Sequence, residues 1–420
     1  MDLSIIVIGD ELLLGQVADT NSGFIARSVA PLGWKVVSVR TIADDAEDIY
    51  NAVDEAMKTS DAVITTGGLG PTKDDITKTT LCRYFNCGTH FDKEVEKNIY
   101  SIFEKRGLKM NDLTRNQAIV PDACKVIQNR FGTAPIMWFD KHTGCKDTVL
   151  VSMPGVPFET EGMLPEVIGA LMDKFNPDIV MRHESFIVTD ITESDLAARL
   201  DCFETHLPDC LHLAYLPSPG YIRLRLDGIS AATDEAELQQ IFADTCLQLA
   251  SELSDNLLYT GDSAPDRIVL ELATSAGLRI ATAESCTGGT IASRLTATPG
   301  ASECFNGGVV SYSNAMKIDT LGVRGEDIEQ FGAVSREVVE QMSAGIQKVS
   351  DAECAIATSG IAGPGGGSEE KPVGTVWIAV RVADRLESKC YRFPGNRSRV
   401  VDRASTTALI MLAKMLKDLQ

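Results

Sequence analysis

Short apolar runs alternate with helix-like stretches twice along this chain, and between the two alternating regions the pattern breaks. Up to about residue 165 the order is SIIVIGD, NSGFIARSVAPLG, WKVVSVRTI, EDIYNAVDEAMK, DAVITTGG, DDITKTTLCRYF and TVLVSMPG. Such alternation predicts a mostly parallel sheet covered by helices. It returns from residue 266 with DRIVLELATSAG, LRIATAES, GGTIASRLTAT, GGVVSYSN, SREVVEQMSAGIQKV, CAIATSG, TVWIAVRV and a last helix from about Arg399 to Lys417. Between about 170 and 255, SFIVTDI, ESDLAARL, YIRLRLDG and a long helix from Thr233 to Leu253 predict a small α+β domain, with a linker near 256–265. A chain of 420 residues exceeds one ordinary core. The expected fold class is therefore α/β: two different three-layer α/β domains, 1–170 and 265–420, joined by a small α+β domain, 171–258. No repeat of solenoid period is present.

The net charge of -20 disfavours nucleic acid, whose phosphates need Lys and Arg. The charge is uneven: residues 173–255 hold 16 acidic and 5 basic side chains, and 265–420 hold 18 and 17, so only the C-terminal region has cations for an anionic ligand. The start, MDLSIIVIGDELLLGQ, carries acids where a signal peptide has cations, and no stretch has the length to span a bilayer. A cytoplasmic protein without a membrane partner is expected. The 11 cysteines show no CxxC pair and read as reduced, mostly buried residues.

None of the five histidines lies beyond His212, so residues 213–420 cannot by themselves build a Ser-His-Asp triad or a histidine-ligated zinc centre. In IATAESCTGGTIASRL, Ser285 stands at a sharp turn between a strand ending at Glu284 and a helix predicted to begin near Thr287. Free N–H groups there stabilise an oxyanion or a phosphate, and Gly288 and Gly289 allow close approach. Capping of the helix by Ser285 is the competing reading. In GGVVSYSNAMKIDTLG, Tyr312 and Lys317 follow an apolar strand; a desolvated Lys317 can lose its proton and activate a hydroxyl, whereas an exposed lysine on a first turn is the plain alternative. A third junction passes Thr358 and Ser359 into a glycine-rich loop containing Gly363. The segment FPGNRSRVVDR brings Arg397, Arg399 and Arg403 to the start of the last helix, suited to phosphate or carboxylate, with surface solvation the alternative for at least two of them.

Over about residues 265–420 these motifs, AESCTGG, SYSNAMK, GAVS, ATSGIAGP, KPVGTVW and FPGNR, resemble the CinA C-terminal domain family, nicotinamide-nucleotide amidases of PncC type. The resemblance implies hydrolysis of nicotinamide mononucleotide to nicotinic acid mononucleotide and ammonia, with no cofactor needed. By position it makes Ser285 the nucleophile and Lys317 its base, with Tyr312 and Thr358 orienting. Gly288, Gly289, Gly363 and Arg397 or Arg399 would contact substrate, Arg403 competing for that role. Cys286, adjacent and chemically a better nucleophile, is the rival to Ser285.

Near the N-terminus, DAVITTGGLGPTKDDITKTTL is a strand, a glycine turn at Gly67, Gly68 and Gly70, and a helix preceded by two aspartates. Such a turn offers N–H groups to an anion and a carboxylate to a divalent ion or a ribose hydroxyl; a plain strand-to-helix loop with an acidic cap competes. With GDELLLGQVADTN, RNQAIVPDA, GTAP and MPGVPFE, residues 3–170 resemble the molybdopterin-binding fold family as found at the N-terminus of CinA proteins. The resemblance implies a metal-dependent ADP-ribose pyrophosphatase: Gly67, Gly68, Gly70 and Thr72 at the diphosphate, and Asp75, Asp74, Glu11 and Asp19 as candidate ligands of a divalent metal ion. Leu69 stands where the molybdopterin enzymes usually have threonine, and Ile136-Met137-Trp138 where the family commonly has glycine and phenylalanine. The middle region resembles the KH-like domain of CinA proteins but lacks a GxxG loop, so RNA is not expected and a spacing or dimer-forming role is. The expected partners are small-molecule nucleotides and a second copy in a homodimer. The reading in competition is a nucleotide-binding regulatory or competence-associated protein without turnover.

Overall fold

The computed structural model describes residues 1–419 except 73, 106, 108, 144, 145 and 176–178. It divides into two compact units, Met1–Arg182 with Gly228–Gln239, and His183–Asp227 with Gln240–Gln420.

The first unit is built on a six-stranded sheet in the order Lys35–Ile42, Asp2–Ile8, Ala62–Thr66, Lys146–Met153, Ile136–Thr143, Cys124–Ile127. Its first four strands are parallel and the last two antiparallel. Side chains alternate across a strand, so Leu3, Ile5 and Val7 face Ile25 of helix Asn21–Val29 and Val167 of helix Pro157–Phe175. Ile6 and Ile8 face the other way, against Ile49 and Val53 of helix Ala46–Thr59 and Leu81 of helix Thr77–Tyr84. Three layers follow because both faces of the strands are apolar.

In the second unit a five-stranded sheet runs Phe305–Val310, Ile280–Glu284, Cys354–Gly360, Thr375–Val382, Arg385–Arg392. The first three strands are parallel; the last two turn antiparallel. Ile280, Ile356 and Ile378 pack under helices Pro265–Ala276 and Arg397–Lys417. The opposite face is lined by Ala281, Ala283, Ala355, Ala357 and Ala379, whose small side chains let helix Arg336–Ser350 lie close.

Three strands of segment 171–258 and a fourth, Leu257–Thr260, at its end form a separate four-stranded sheet in the order Leu211–Ser218, Tyr221–Ala231, Ile179–Val188, Leu257–Thr260. Of this segment, residues 171–182 and 228–239 fall in the first unit and 183–227 and 240–258 in the second. The expected linker near 256–265 is shorter than predicted. Leu257–Thr260 pairs antiparallel with Ile179–Val188, and Leu258 is buried; the polar neighbours in SDNLLYT hid a short apolar strand that only pairing reveals. The last helix begins two residues earlier than expected, at Arg397, because the Asn396 side chain caps it. Among the described residues no helix is long and apolar enough to cross a membrane.

In both modules the first strand, Asp2–Ile8 or Ile280–Glu284, has its next strand on one side and the one after on the other. The crevice at the carboxyl ends of such strands is where open α/β sheets hold ligands.

Candidate functional sites

At the carboxyl end of Ile280–Glu284 the chain turns sharply. Ser285 N–H donates to the carbonyl of Thr358 at 3.0 Å and Gly288 N–H to the carbonyl of Ser285 at 3.2 Å, which closes the turn. Gly288 (φ 62°) and Gly289 (φ 94°) are both left-handed. Neither lines the cavity beside Ser285, and their backbone conformation by itself favours glycine.

The helix that follows begins at Thr290, three residues later than predicted. Its free N-terminus is occupied: the Glu284 carboxylate, 1% exposed, accepts from Gly289 N–H at 3.0 Å, Ile291 N–H at 3.1 Å and Ala292 N–H at 2.8 Å. A carboxylate there satisfies orphan donors and offsets the positive end of the dipole. Glu284 escaped the sequence reading as a functional residue; its signal was an acid just before a glycine turn that opens a helix. Within the turn, the N–H groups of Cys286 and Thr287 make no hydrogen bond among the described residues, so the expected anion-binding stretch 286–289 narrows to those two.

Lys317 lies on helix Asn314–Leu321, started by Ser313, whose hydroxyl accepts from Met316 N–H. It is 1% exposed, and its Nζ donates to Ser285 Oγ at 3.0 Å and to the carbonyl of Ser311 at 2.7 Å. No carboxylate is paired with it among the described residues. Burial therefore pushes its pKa below the ordinary lysine value, since desolvation of the charged form outweighs the contacts that favour it. This excludes the exposed-lysine alternative. The Ser285 side chain bonds Lys317 rather than the following helix, and Glu284 does the capping. Cys286 is buried and its thiol is pushed up to about 12, first by desolvation, leaving a negligible thiolate fraction near neutrality.

A cavity of about 200 Å³ is lined by Ser285, Cys286, Tyr312, Lys317, Ser359 and Arg397 among others, with no acidic side chain among the described residues of its wall. Arg397 donates to the carbonyl of Gly363 at 2.9 Å and to Tyr312 Oη at 3.3 Å, which aims the guanidinium across the mouth. Tyr312 is 65% exposed, lines the cavity and accepts from Arg397 at its Oη. Thr358 does not reach Ser285 with its hydroxyl: Thr358 Oγ1 pairs with Thr287 Oγ1 at 2.7 Å, and the residue holds the turn through its carbonyl. Arg399 and Arg403 do not line the cavity; Arg399 is exposed and contributes its backbone N–H to the Asn396 cap.

In the first unit a cavity of about 420 Å³ opens at the ends of Asp2–Ile8 and Ala62–Thr66, lined by Glu11, Asp19, Asp44, Gly67, Gly68, Gly70, Asp74 and Asp75 among others. Gly67 (φ 108°) and Gly68 (φ 63°) are left-handed, and a Cβ on Gly67 would stand 2.1 Å from the carbonyl oxygen of Ile8. Asp75 is committed to the turn: it accepts from Gly70 N–H at 2.7 Å and from Thr72 N–H at 2.9 Å, and also bonds the Thr72 hydroxyl. Thr72 thus braces Asp75 and does not line the cavity. Asp19 accepts from Ser22 N–H and Oγ. Asp74 is exposed. Asp44, absent from the sequence candidates, has its carboxyl raised by desolvation and by the charges of Asp10, Glu11 and Asp75. Its only signal was its place two residues past a strand predicted as parallel.

Among the described residues no three His, Cys, Asp or Glu side chains converge as a metal-holding group. An ion caged by protein alone therefore does not fit this donor set. An ion sharing one or two carboxylates with ligand phosphates does, that being the usual manner of Mg²⁺.

Compared with known proteins, residues 262–416 match the family model of the CinA C-terminal domain, and residues 4–173 that of a probable molybdopterin binding domain. The chain is 39% identical over 419 residues to a CinA-like protein of Flavobacterium psychrophilum, covering 99% of this chain and 98% of that one. It is 37% identical over 417 residues to a putative competence-damage inducible protein of Caldicellulosiruptor saccharolyticus, covering 99% of each. A crystal structure of a CinA superfamily protein from Klebsiella pneumoniae, 36% identical, covers 37% of this chain and 99% of its own, with a TM-score of 0.36.

Proposed function

The chain belongs to the CinA family, and on that premise we propose that its C-terminal module hydrolyses the carboxamide of nicotinamide mononucleotide. The observation that carries this reading is the 3.0 Å contact between Lys317 Nζ and Ser285 Oγ, with the amine buried and its proton affinity lowered. Neutral Lys317 takes the Ser285 proton as Oγ attacks the carboxamide carbon. The N–H group of Cys286, the residue of that turn which lines the cavity beside Ser285, holds the oxyanion. Lys317 returns the proton to the departing nitrogen, which leaves as ammonia. Water, deprotonated by the same amine, then cleaves the acyl-enzyme to nicotinic acid mononucleotide and regenerates Ser285. The substrate phosphate falls to Arg397, the cation at the mouth not engaged with the nucleophile.

The N-terminal module is read as an ADP-ribose pyrophosphatase. A divalent ion bound there with the substrate would be held by Asp44 and Glu11, leaving Asp75 to brace the turn, and would offset the negative charge of the diphosphate. The test is release of ammonia from nicotinamide mononucleotide by the full-length protein, with and without chelator. Absence of ammonia under both conditions would remove the amidase reading.

A further inference from the structure

Helix Thr77–Tyr84 ends on a complete Schellman motif. Asn86 (φ 48°) is left-handed, its N–H donates to the carbonyl of Arg83 at 3.2 Å, and the N–H of Cys87 donates to the carbonyl of Cys82 at 3.0 Å. The second of these bonds folds the chain back on itself and sets the side chains at its two ends against each other, usually as an apolar contact. In this chain both positions are cysteine.

That placement meets the demands of a disulfide. Residues joined in this way hold their α-carbons within the roughly 4.4–6.8 Å that a disulfide spans. Both thiols are free and partly exposed rather than sealed in the core. The Cys82 thiol is pushed up to about 11, first by desolvation and next by Cys87, so the two sulfurs are near enough to resist each other's ionisation. A third thiol, Cys124 at the start of strand Cys124–Ile127, is pushed up to about 12 by desolvation and then by Cys87 and Cys82. Among the described residues these thiols form no metal-holding group, and none of the three lines either cavity described above.

We propose that Cys82 and Cys87 are a redox-modification site, a dithiol that small disulfides convert to an intramolecular disulfide stapling the end of helix Thr77–Tyr84. One cysteine thiolate attacks a sulfur of the small disulfide and releases one small thiol; the other cysteine then displaces the second. The S–S bond of the reagent breaks and that of the protein forms. The two protons and two electrons that the protein loses reappear in the two small thiols. The cap needs no rearrangement, because its backbone hydrogen bonds already bring residues 82 and 87 together. At the other end of the helix, Thr77 N–H donates to the carbonyl of Gly68 at 3.3 Å, so the staple braces an element on which the glycine turn rests.

The test equilibrates the reduced full-length protein with glutathione disulfide, alkylates the remaining thiols and digests with trypsin. Cleavage after Lys78, Arg83, Lys93, Arg115 and Lys125 leaves Cys82, Cys87 and Cys124 on separate peptides, 79–83, 84–93 and 116–125, so mass spectrometry reads which sulfurs are joined. Peptide 79–83 should be linked to 84–93 in most of the protein, with Cys124 alkylated. A Cys124→Ser protein should form the same link to the same extent. Oxidised wild type should melt a few degrees above reduced wild type, and the difference should vanish in Cys87→Ser. The site is overturned by a link from either cysteine to Cys124, by glutathione left on one cysteine with the other free, or by alkylation of both. An oxidised protein that melts below the reduced one overturns it too, since the cap would then be strained by the bond.

Discussion

Lys317 donates from one nitrogen to two oxygens, Ser285 Oγ at 3.0 Å and the carbonyl of Ser311 at 2.7 Å. Once neutral, the amine can keep a hydrogen on the Ser311 carbonyl and turn its lone pair to the serine. The pH dependence follows from the direction of the shift. Activity should rise with pH through a lysine pKa lying below the ordinary lysine value, and that limb should disappear when Lys317 is replaced. Lys317→Met should lower kcat by about 10²–10⁴-fold.

The same residue makes an opposite prediction for stability. A lysine whose folded pKa is depressed binds protons more weakly in the native state. Its destabilising effect is complete below the folded pKa and is relieved as pH rises from there toward 10.5. Lys317→Met should thus melt at or above the wild-type temperature at pH 7, measured by calorimetry. A melting temperature lowered by many degrees would mean that the buried ammonium holds the fold together.

Ser285 and Cys286 are adjacent but differently placed for chemistry. With the Cys286 thiol pushed up to about 12, Cys286→Ala should keep most of the ammonia release, and Ser285→Ala should lose it. Loss confined to the cysteine variant would reverse the assignment.

Removing Glu284 leaves three backbone donors without an acceptor. Glu284→Ala should destabilise by at least about 1–3 kcal/mol, the cost of orphaning even one buried donor, read as a shift in the denaturant midpoint. Glu284→Gln keeps one acceptor oxygen and should fall between.

Arg397→Ala should raise KM for nicotinamide mononucleotide more than it lowers kcat, while Arg399→Ala and Arg403→Ala stay near wild type. Arg397→Lys should not rescue, because one ammonium cannot reproduce the forked contacts to Gly363 and Tyr312. Equal KM effects at 397 and 399 would remove the distinction.

The strand-to-helix junctions were legible because apolar runs ending in Gly, Ser or Asn have few other ways to fold. The motifs carrying Ser285, Lys317 and Arg397 were visible for the same reason. Asp44 and Glu284 were not: each looks like an ordinary polar residue beside a strand, and what distinguishes it is the neighbours that the fold gives it. Asp75 shows the converse, a conspicuous acid in a glycine turn that is spent on holding Gly70 and Thr72.

The sequence by itself determined the succession of elements, the two α/β modules, the absence of histidine chemistry in residues 213–420, and the residue types at each junction. Those are local properties, settled by periodicity, composition and turn chemistry. Which carboxylate is structural and which faces a cavity, which arginine lines the cavity beside Ser285, and that Lys317 is buried beside Ser285, 32 positions away, were decided only by tertiary structure. Burial and hydrogen-bond partnership depend on strand order, and a residue's charge state follows from both.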